Sequence, residues 1–200
     1  MKNYIVGIFL LFCTLNIQLV SAQRHYRPEI SVGVKFGTNL SNTTFQPKVQ
    51  EGLLLGYMGG LSFRYIEEKH FGFIVEANFS QQGWKEDFEN EPYQFSRKMN
   101  YIQIPFMSHI FFGNKFFRGF VNLGPQVGFF ISDSYKSNFD IHNPPTFTSS
   151  SRETQQYTMP IANKVDYGIT AGAGLEFRIL RSSFLLESRY YFGLGDFFKN

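Results

Sequence analysis

Apolar and polar side chains alternate along most of this chain with a period of two, which is the spacing of a β-strand. The longest such stretch covers residues 100–132 and contains a short turn at residues 113–115. Pro105 and Pro125 lie inside it, where each would break a helix, and the stretch is rich in Phe, Ile and Val. The pattern therefore predicts two long β-strands joined by a tight turn.

Five further segments show the same alternation, which gives seven predicted strands in all. Each segment carries large apolar side chains on one face and mainly glycine, polar or charged side chains on the other. The five segments are residues 30–39, 52–66, 70–82, 166–180 and 183–194. Apolar faces of this length, with aromatic residues at both ends, are typical of strands that have lipid on one side and water on the other.

The connections between the predicted strands alternate in length. The tight turns, which follow the second, fourth and sixth strands, are residues 67–69, 113–115 and 181–182. The long polar segments, which follow the first, third and fifth strands, are residues 41–51, 83–98 and 133–165. Outer-membrane barrels have this asymmetry, with short turns in the periplasm and long loops outside the cell. We interpret the longest segment as a surface loop; the alternative is that Tyr157, Met159 and Ile161 extend the sixth strand.

These patterns predict an all-β fold, an antiparallel up-and-down transmembrane β-barrel of the eight-stranded type. Seven strands are identified, whereas bacterial single-chain barrels close with an even number. An open barrel edge would leave backbone groups unpaired in lipid. We therefore expect that an eighth strand is missing from a truncated C-terminus, with a partner strand or closure by residues 24–29 as alternatives. A soluble lipocalin-like barrel is a rival architecture in which the apolar faces would point inward.

The composition agrees with a barrel and disfavours a bundle of membrane helices. The chain has 200 residues, of which 43% are hydrophobic and 18% aromatic, yet its mean hydropathy is -0.19. Membrane helices need apolar runs of about 20 residues, whereas a barrel strand turns every second residue into the lumen. We expect aromatic residues at the strand ends to form girdles at the membrane surfaces. The candidates for these girdles are Tyr57, Tyr65, Trp84, Tyr167 and Tyr190.

The N-terminal segment has the pattern of a cleavable signal peptide. Lys2 supplies a positive charge, residues 4–20 are mostly apolar, and small residues precede the cleavage site. We therefore divide the chain into a signal peptide at residues 1–22 and an outer-membrane β-barrel domain at residues 23–200, exported to the bacterial outer membrane. Cys13 leaves with the signal peptide, so the mature chain can form no disulfide. The net charge of +3 is small and the Lys and Arg residues form no block, which argues against a nucleic-acid partner.

Five short runs carry a resemblance to a known family. They are VGVKFGTNLSN (residues 32–42), SQQGW (80–84), YIQIP (101–105), GAGLEF (172–177) and LESRYYFGLGD (186–196). In their order and spacing, these runs resemble the outer-membrane β-barrel family of Bacteroidetes-type bacteria that includes PorT-like proteins. The resemblance covers nearly the whole mature chain and implies an eight-stranded outer-membrane barrel. Through the family's namesake, it also implies a role in secreting proteins across that membrane.

The side chains that would carry a mechanism lie on the faces predicted to point into the lumen. They are Lys35, Arg64, Glu76, Gln103, His109, Arg118, Glu176, Arg178, Glu187 and Arg189. An eight-stranded barrel is just wide enough for its side chains to fill, and burying an isolated charge is costly. We therefore expect a network of ion pairs and hydrogen bonds that fills the lumen. A narrow gated pore or a small-ligand site is the alternative.

No arrangement in the sequence indicates an enzyme. Ser108 and His109 are adjacent, and in a strand they point to opposite faces, so they cannot form a catalytic dyad. Asp140 and His142 could share one side of a loop, but no serine is placed to act with them. The four histidines lack metal-ligand spacing, and we expect neither a metal nor a cofactor.

The sequence thus favours a non-enzymatic outer-membrane barrel with a structural or interaction role, serving as a PorT-like accessory to protein secretion. Its expected partners are outer-membrane lipid and proteins of the secretion machinery. A small channel or ligand-binding barrel is the first alternative. A lipid-modifying outer-membrane enzyme is the second, and the lack of a catalytic dyad disfavours it.

Overall fold

The computed structural model describes residues 28–42, 51–86, 88, 92–145, 147, 157–161 and 163–195. Its strands form one antiparallel sheet. The strands are β1 (Glu29–Ser41), β2 (Glu51–Gly52), β3 (Leu54–Ile66), β4 (Phe71–Glu86), β5 (Phe95–Gly113), β6 (Phe117–Ser137), β7 (Val165–Ile179) and β8 (Ser182–Gly193). β2 has only two residues, which pair with the end of β4. The other seven strands are long, and they correspond to the seven strands that the alternation predicts.

Each long strand pairs with the next one along the chain, in the order β1-β3-β4-β5-β6-β7-β8. The predicted up-and-down antiparallel arrangement is therefore confirmed. Among the described residues, β1 and β8 are each paired on one side only, and an eighth long strand stays a prediction. The sheet is nevertheless curled, because side chains of β1 reach its far end. Glu29 pairs with Arg178 on β7, and Lys35 Nζ lies 3.6 Å from Glu187 Oε2 on β8.

The two faces of the curled sheet carry the side chains that the alternation assigns to them. Apolar side chains on the outer face are exposed, for example Val32 at 75% and Leu186 at 73%. Polar side chains on the inner face are buried, for example Glu76 at 5% and Glu176 at 0%. The lipocalin-like rival, in which the apolar faces would point inward, is therefore wrong. An apolar outer face of this extent fits a surrounding of lipid.

Tight turns join the strands at one end of the sheet, which we call the turn end. In the β5–β6 turn, the Asn114 N–H donates to Phe117 O at 2.8 Å, and its Oδ1 accepts the N–H groups of Phe116 and Phe117 at 2.8 Å. Gly113 has a φ of 145°, and a Cβ there would lie 2.3 Å from Phe117 O, so glycine is required. The β7–β8 turn lies at residues 180–181, one residue earlier than predicted.

Three strands run further at the opposite end than the sequence predicts. Residues 83–98 are predicted as a loop, but β4 continues to Glu86 and β5 begins at Phe95. In the same way, β6 continues to Ser137, inside the longest predicted loop. Polar residues on the water-facing side give this part the composition of a loop, whereas buried aromatic side chains on its inner side keep it a sheet. We call residues 82–86, 95–100 and 132–137 the outer extension.

The alternative that Tyr157, Met159 and Ile161 extend the sixth predicted strand is wrong. That strand, β7, begins at Val165, and Tyr157 itself has a 3₁₀ conformation followed by a turn at Thr158. Tyr157 is buried and Ile161 is partly buried against the aromatic core of the outer extension. The apolar residues at alternate positions therefore reflect packing of a loop rather than pairing in a ladder.

The part of the chain that the structure describes contains no helix long and apolar enough to cross a membrane. The predicted signal peptide at residues 1–22, His25 and residues 43–50 all lie outside the described residues. Of the segment predicted as an alternative closure of the barrel, only Pro28 and Glu29 are described, and Glu29 begins β1.

Candidate functional site

Two cations and two carboxylates lie together across the middle of the lumen. Arg189 donates from Nη1 to Glu76 Oε2 at 2.8 Å and from Nη2 to Glu187 Oε2 at 2.7 Å. Lys35 Nζ lies 3.1 Å from Glu76 Oε2 and 3.6 Å from Glu187 Oε2. We call these four residues the central charge group. Its charges balance, and its members come from β1, β4 and β8, so the group ties the two edge strands to the opposite wall.

Buried amides complete the hydrogen bonding of the central charge group. Asn78 Nδ2 donates to Glu76 Oε2 at 2.8 Å, and Asn122 Nδ2 donates to Glu187 Oε1 at 2.8 Å. Asn122 Oδ1 is then free to accept, and His109 Nδ1 lies 2.7 Å from it. His109 therefore carries a proton on Nδ1. The carboxylates thus receive donors from several sides, which is what a buried charge requires.

A second group of charges lies nearer the turn end and surrounds Glu176. Arg64 Nη2 donates to Glu176 Oε1 at 2.8 Å, in full burial. Arg118 Nη1 lies 3.9 Å from Glu176 Oε2, and Arg178 Nε lies 3.9 Å from Glu176 Oε1. Arg178 also pairs with Glu29 at the start of β1. We call these five residues the arginine group; three cations share two carboxylates there.

Apolar side chains fill the lumen beside the arginine group. Ile66, Phe111 and Phe120 form a buried cluster, with Phe111 and Phe120 directly opposite each other on β5 and β6. The Arg118 guanidinium lies 4.6 Å from the centre of the Phe111 ring, and the His109 ring stacks on the same ring at 5.3 Å. The turn end of the lumen is therefore occupied by packed side chains.

The outer extension carries an aromatic core of its own on its inner side. We call this cluster the outer core; its buried members are Trp84, Phe88, Phe95, Met99, Tyr101, Ile141, Phe147 and Tyr157. Two polar contacts fasten the loop between β6 and β7 onto it. Tyr157 Oη donates to Glu86 Oε2 at 2.7 Å, and Arg97 Nη1 donates to Met159 O at 2.7 Å. Arg97 also donates from Nε to Asp133 Oδ2 at 2.7 Å, and its guanidinium carbon lies 5.8 Å from the centre of the Trp84 ring.

The outer core corrects one part of the girdle prediction. Trp84 is fully buried in this core, so its assignment to a membrane-surface girdle is wrong. Its position has the same parity along β4 as Glu76 and Asn78, which was the available signal for an inward side chain. Tyr57, Tyr167 and Tyr190 are exposed on the outward face, where a girdle residue would lie.

The structure brings nine of the ten predicted site residues into these groups or into direct contact with them. Lys35, Glu76, Glu187 and Arg189 form the central charge group, which His109 joins through Asn122, and Arg64, Arg118, Glu176 and Arg178 belong to the arginine group. Gln103 lies apart and bonds Gln82 at 3.4 Å. The predicted set omitted Asn78 and Asn122, although both have the parity of the lumen face, and Glu29, which precedes the first predicted strand.

The remaining chemical candidates do not assemble into a catalytic arrangement. His109 faces the lumen in full burial, whereas the neighbouring Ser108 lies on the opposite face of β5. The backbone N–H of His142 donates to Asp140 Oδ1 at 2.9 Å, which is a local turn contact. Within the described residues, no group of three or more His, Cys, Asp or Glu side chains is arranged to hold a metal ion.

Comparison with known proteins gives one match. The family model for the outer membrane protein beta-barrel domain matches residues 21–199, which is most of the chain. A search of curated proteins and a search of solved structures each found no match.

Proposed function

Because the chain belongs to the outer membrane protein beta-barrel domain family, we propose that it is a non-enzymatic barrel of the bacterial outer membrane with a structural or interaction role. The more specific part of the proposal is that it serves as a PorT-like accessory to protein secretion. The five sequence runs that resemble that Bacteroidetes-type family support this part. A cleavable signal peptide would provide its export.

One observation favours a structural barrel over a channel: side chains fill the lumen at two levels. Glu76 and Glu187 are bridged by Arg189 in the central charge group, and Glu176 is enclosed in the arginine group. Phe111 and Phe120 occupy the turn end. A conducting lumen needs hydrated charges along a continuous water path, whereas these charges bond one another.

The outer extension supports the interaction role. Its strands continue beyond the apolar outer face, and the outer core gives them a packed interior. On the other side they present exposed polar residues to water, including Ser134 and Lys136 on β6. A rigid polar surface held above the membrane is suited to contact with another protein on the cell surface. Proteins of the secretion machinery are the partners that we propose.

Electrical recording tests the proposal. The refolded protein is inserted into planar bilayers of phosphatidylglycerol and phosphatidylethanolamine, with a known porin as a positive control for insertion. We expect no discrete conductance steps, because the lumen is filled. Regular single-channel steps would contradict the proposal and favour the small-channel alternative. Affinity purification of the tagged protein from outer-membrane extracts tests the proposed partners. The absence of secretion proteins from the purified material would contradict the proposed role in secretion.

A further inference from the structure

The two-residue turn between β7 and β8 contains a leucine in an unfavourable conformation. Leu180 has a φ of 56° and is the one non-glycine residue with positive φ in the described part of the chain. Glycine and asparagine adopt this left-handed conformation more readily than leucine. The Leu180 side chain is also fully exposed to solvent. A strained backbone conformation that exposes an apolar side chain suggests that this side chain contacts a molecule outside the chain.

A shallow groove of about 720 Å³ lies at this turn, lined by Ile179, Leu180, Arg181, Ser182 and Phe184. Ile179 and Phe184 are exposed and are the apolar outward-facing residues nearest the turn on β7 and β8. The groove is therefore continuous with the apolar outer face of the barrel, which meets lipid. Its walls are apolar and its only charged member is Arg181.

Arg181 is the polar counterpart of Leu180. Among the described residues, none forms a salt bridge or hydrogen bond with the Arg181 side chain, whereas the nearby Arg178 is committed to Glu29 and Glu176 inside the lumen. The short turns of an outer-membrane barrel lie at the periplasmic surface, where the phosphate groups of the inner leaflet are found. A guanidinium binds a phosphate through two parallel hydrogen bonds. The turn thus places the Arg181 cation at the level of the lipid phosphates, directly beside an apolar groove.

We propose that the β7–β8 turn is a binding site for an anionic phospholipid of the periplasmic leaflet. Arg181 and the Ser182 hydroxyl bind the phosphate, and Leu180, Ile179 and Phe184 contact the adjoining part of an acyl chain. The anionic class follows from the positive charge of Arg181, which no described residue pairs. This site does not depend on a role in secretion, because it uses only the lipid-facing surface and the turn end.

Native mass spectrometry of the delipidated full chain in detergent tests the site, with dioleoylphosphatidylglycerol and dioleoylphosphatidylcholine as probes. We expect the parent protein to bind phosphatidylglycerol more tightly. Arg181→Gln should weaken that binding about tenfold, since hydrogen bonds to charged groups are among the strong ones. Leu180→Asn should weaken it as well, because asparagine keeps the left-handed turn and removes the apolar contact. Lys136→Gln is the matched control, since it removes an exposed cation at the opposite end.

Several outcomes would overturn the proposal. They are unchanged phosphatidylglycerol affinity in both turn variants, an equal loss in Lys136→Gln, and equal binding of the two lipids by the parent. Inorganic phosphate is the third probe; if it displaces phosphatidylglycerol at equal concentration, the ligand is free phosphate and the lipid site is wrong. Retained heat-modifiability on gels would show that the variants fold, and Leu180→Asn gives a second readout in a turn that the substitution suits.

Discussion

Removing the Glu76 carboxylate should destabilise the barrel substantially, because three donors share it. Glu76 accepts hydrogen bonds from Arg189, Lys35 and Asn78, through both of its oxygens. In Glu76→Ala, Arg189 and Lys35 would face each other with only Glu187 to balance them. The substitution therefore removes several charge-assisted bonds and leaves one uncompensated positive charge.

The magnitude follows from the burial of the partners. Removing one member of a fully buried ion pair costs about 3–5 kcal/mol. The side chains of Lys35 and Arg189 retain 21% and 14% exposure, so water replaces part of the lost interaction. We therefore expect the free energy of unfolding to fall by about 2–3 kcal/mol, somewhat below the fully buried case. At an m-value of about 2 kcal/mol/M, the urea midpoint should fall by about 1 M or slightly more.

Urea unfolding in detergent or lipid vesicles, followed by circular dichroism and by heat-modifiability on gels, measures this change. Glu67→Ala is the matched control, because Glu67 is an exposed carboxylate in the β3–β4 turn and should leave the midpoint unchanged. In the double variant Glu76→Ala/Arg189→Ala, the loss should be smaller than the sum of the single losses, because the remaining Lys35–Glu187 pair is neutral. A Glu76→Ala midpoint equal to that of the parent would refute the reasoning.

Three further predictions concern other parts of the barrel. Trp84→Ala should loosen the outer core, so that limited proteolysis cuts the outer extension of the variant while the parent stays intact; equal resistance would argue against a packed core there. Tyr157→Phe should lower the free energy of unfolding by about 1–2 kcal/mol, because the Glu86 carboxylate loses the hydrogen bond from Tyr157 while it stays buried; an unchanged urea midpoint would contradict that bond. Gly113→Ala should slow refolding and lower the yield of heat-modifiable barrel, because the new Cβ would lie 2.3 Å from a backbone oxygen; parent-like refolding would show that the turn can adjust.

The strand pattern and the faces were predictable because each strand meets two different solvents. Leu123 faces outward and Asn122 inward, and that alternation follows from the strand geometry alone once lipid is assumed on one side. The tight turn at Gly113 was predictable for a similar reason, since a short polar, glycine-containing break between two apolar runs has few other interpretations.

The pairing inside the lumen was not predictable from the sequence. Arg189 on β8 bonds Glu76 on β4, and these strands are not neighbours in the sheet. Only the curvature of the whole sheet brings them together, and no local spacing encodes it. The girdle prediction for Trp84 was wrong for another reason. An aromatic residue near a strand end suits a membrane girdle and a buried core equally well, and only the parity of its position along β4 distinguishes the two.

The most direct test of a filled lumen inside a lipid-facing wall compares two adjacent positions on β7. Ile169 is exposed on the outer face and Thr170 is fully buried on the inner face. In a Cys13→Ala background, Ile169→Cys and Thr170→Cys each leave a single cysteine. After refolding into vesicles, the cysteine at 169 should react with a maleimide dissolved in the bilayer. The cysteine at 170 should react with neither that reagent nor a water-soluble one until urea unfolds the chain. Rapid reaction at 170 with the water-soluble maleimide, or protection at 169 in the bilayer, would contradict the account.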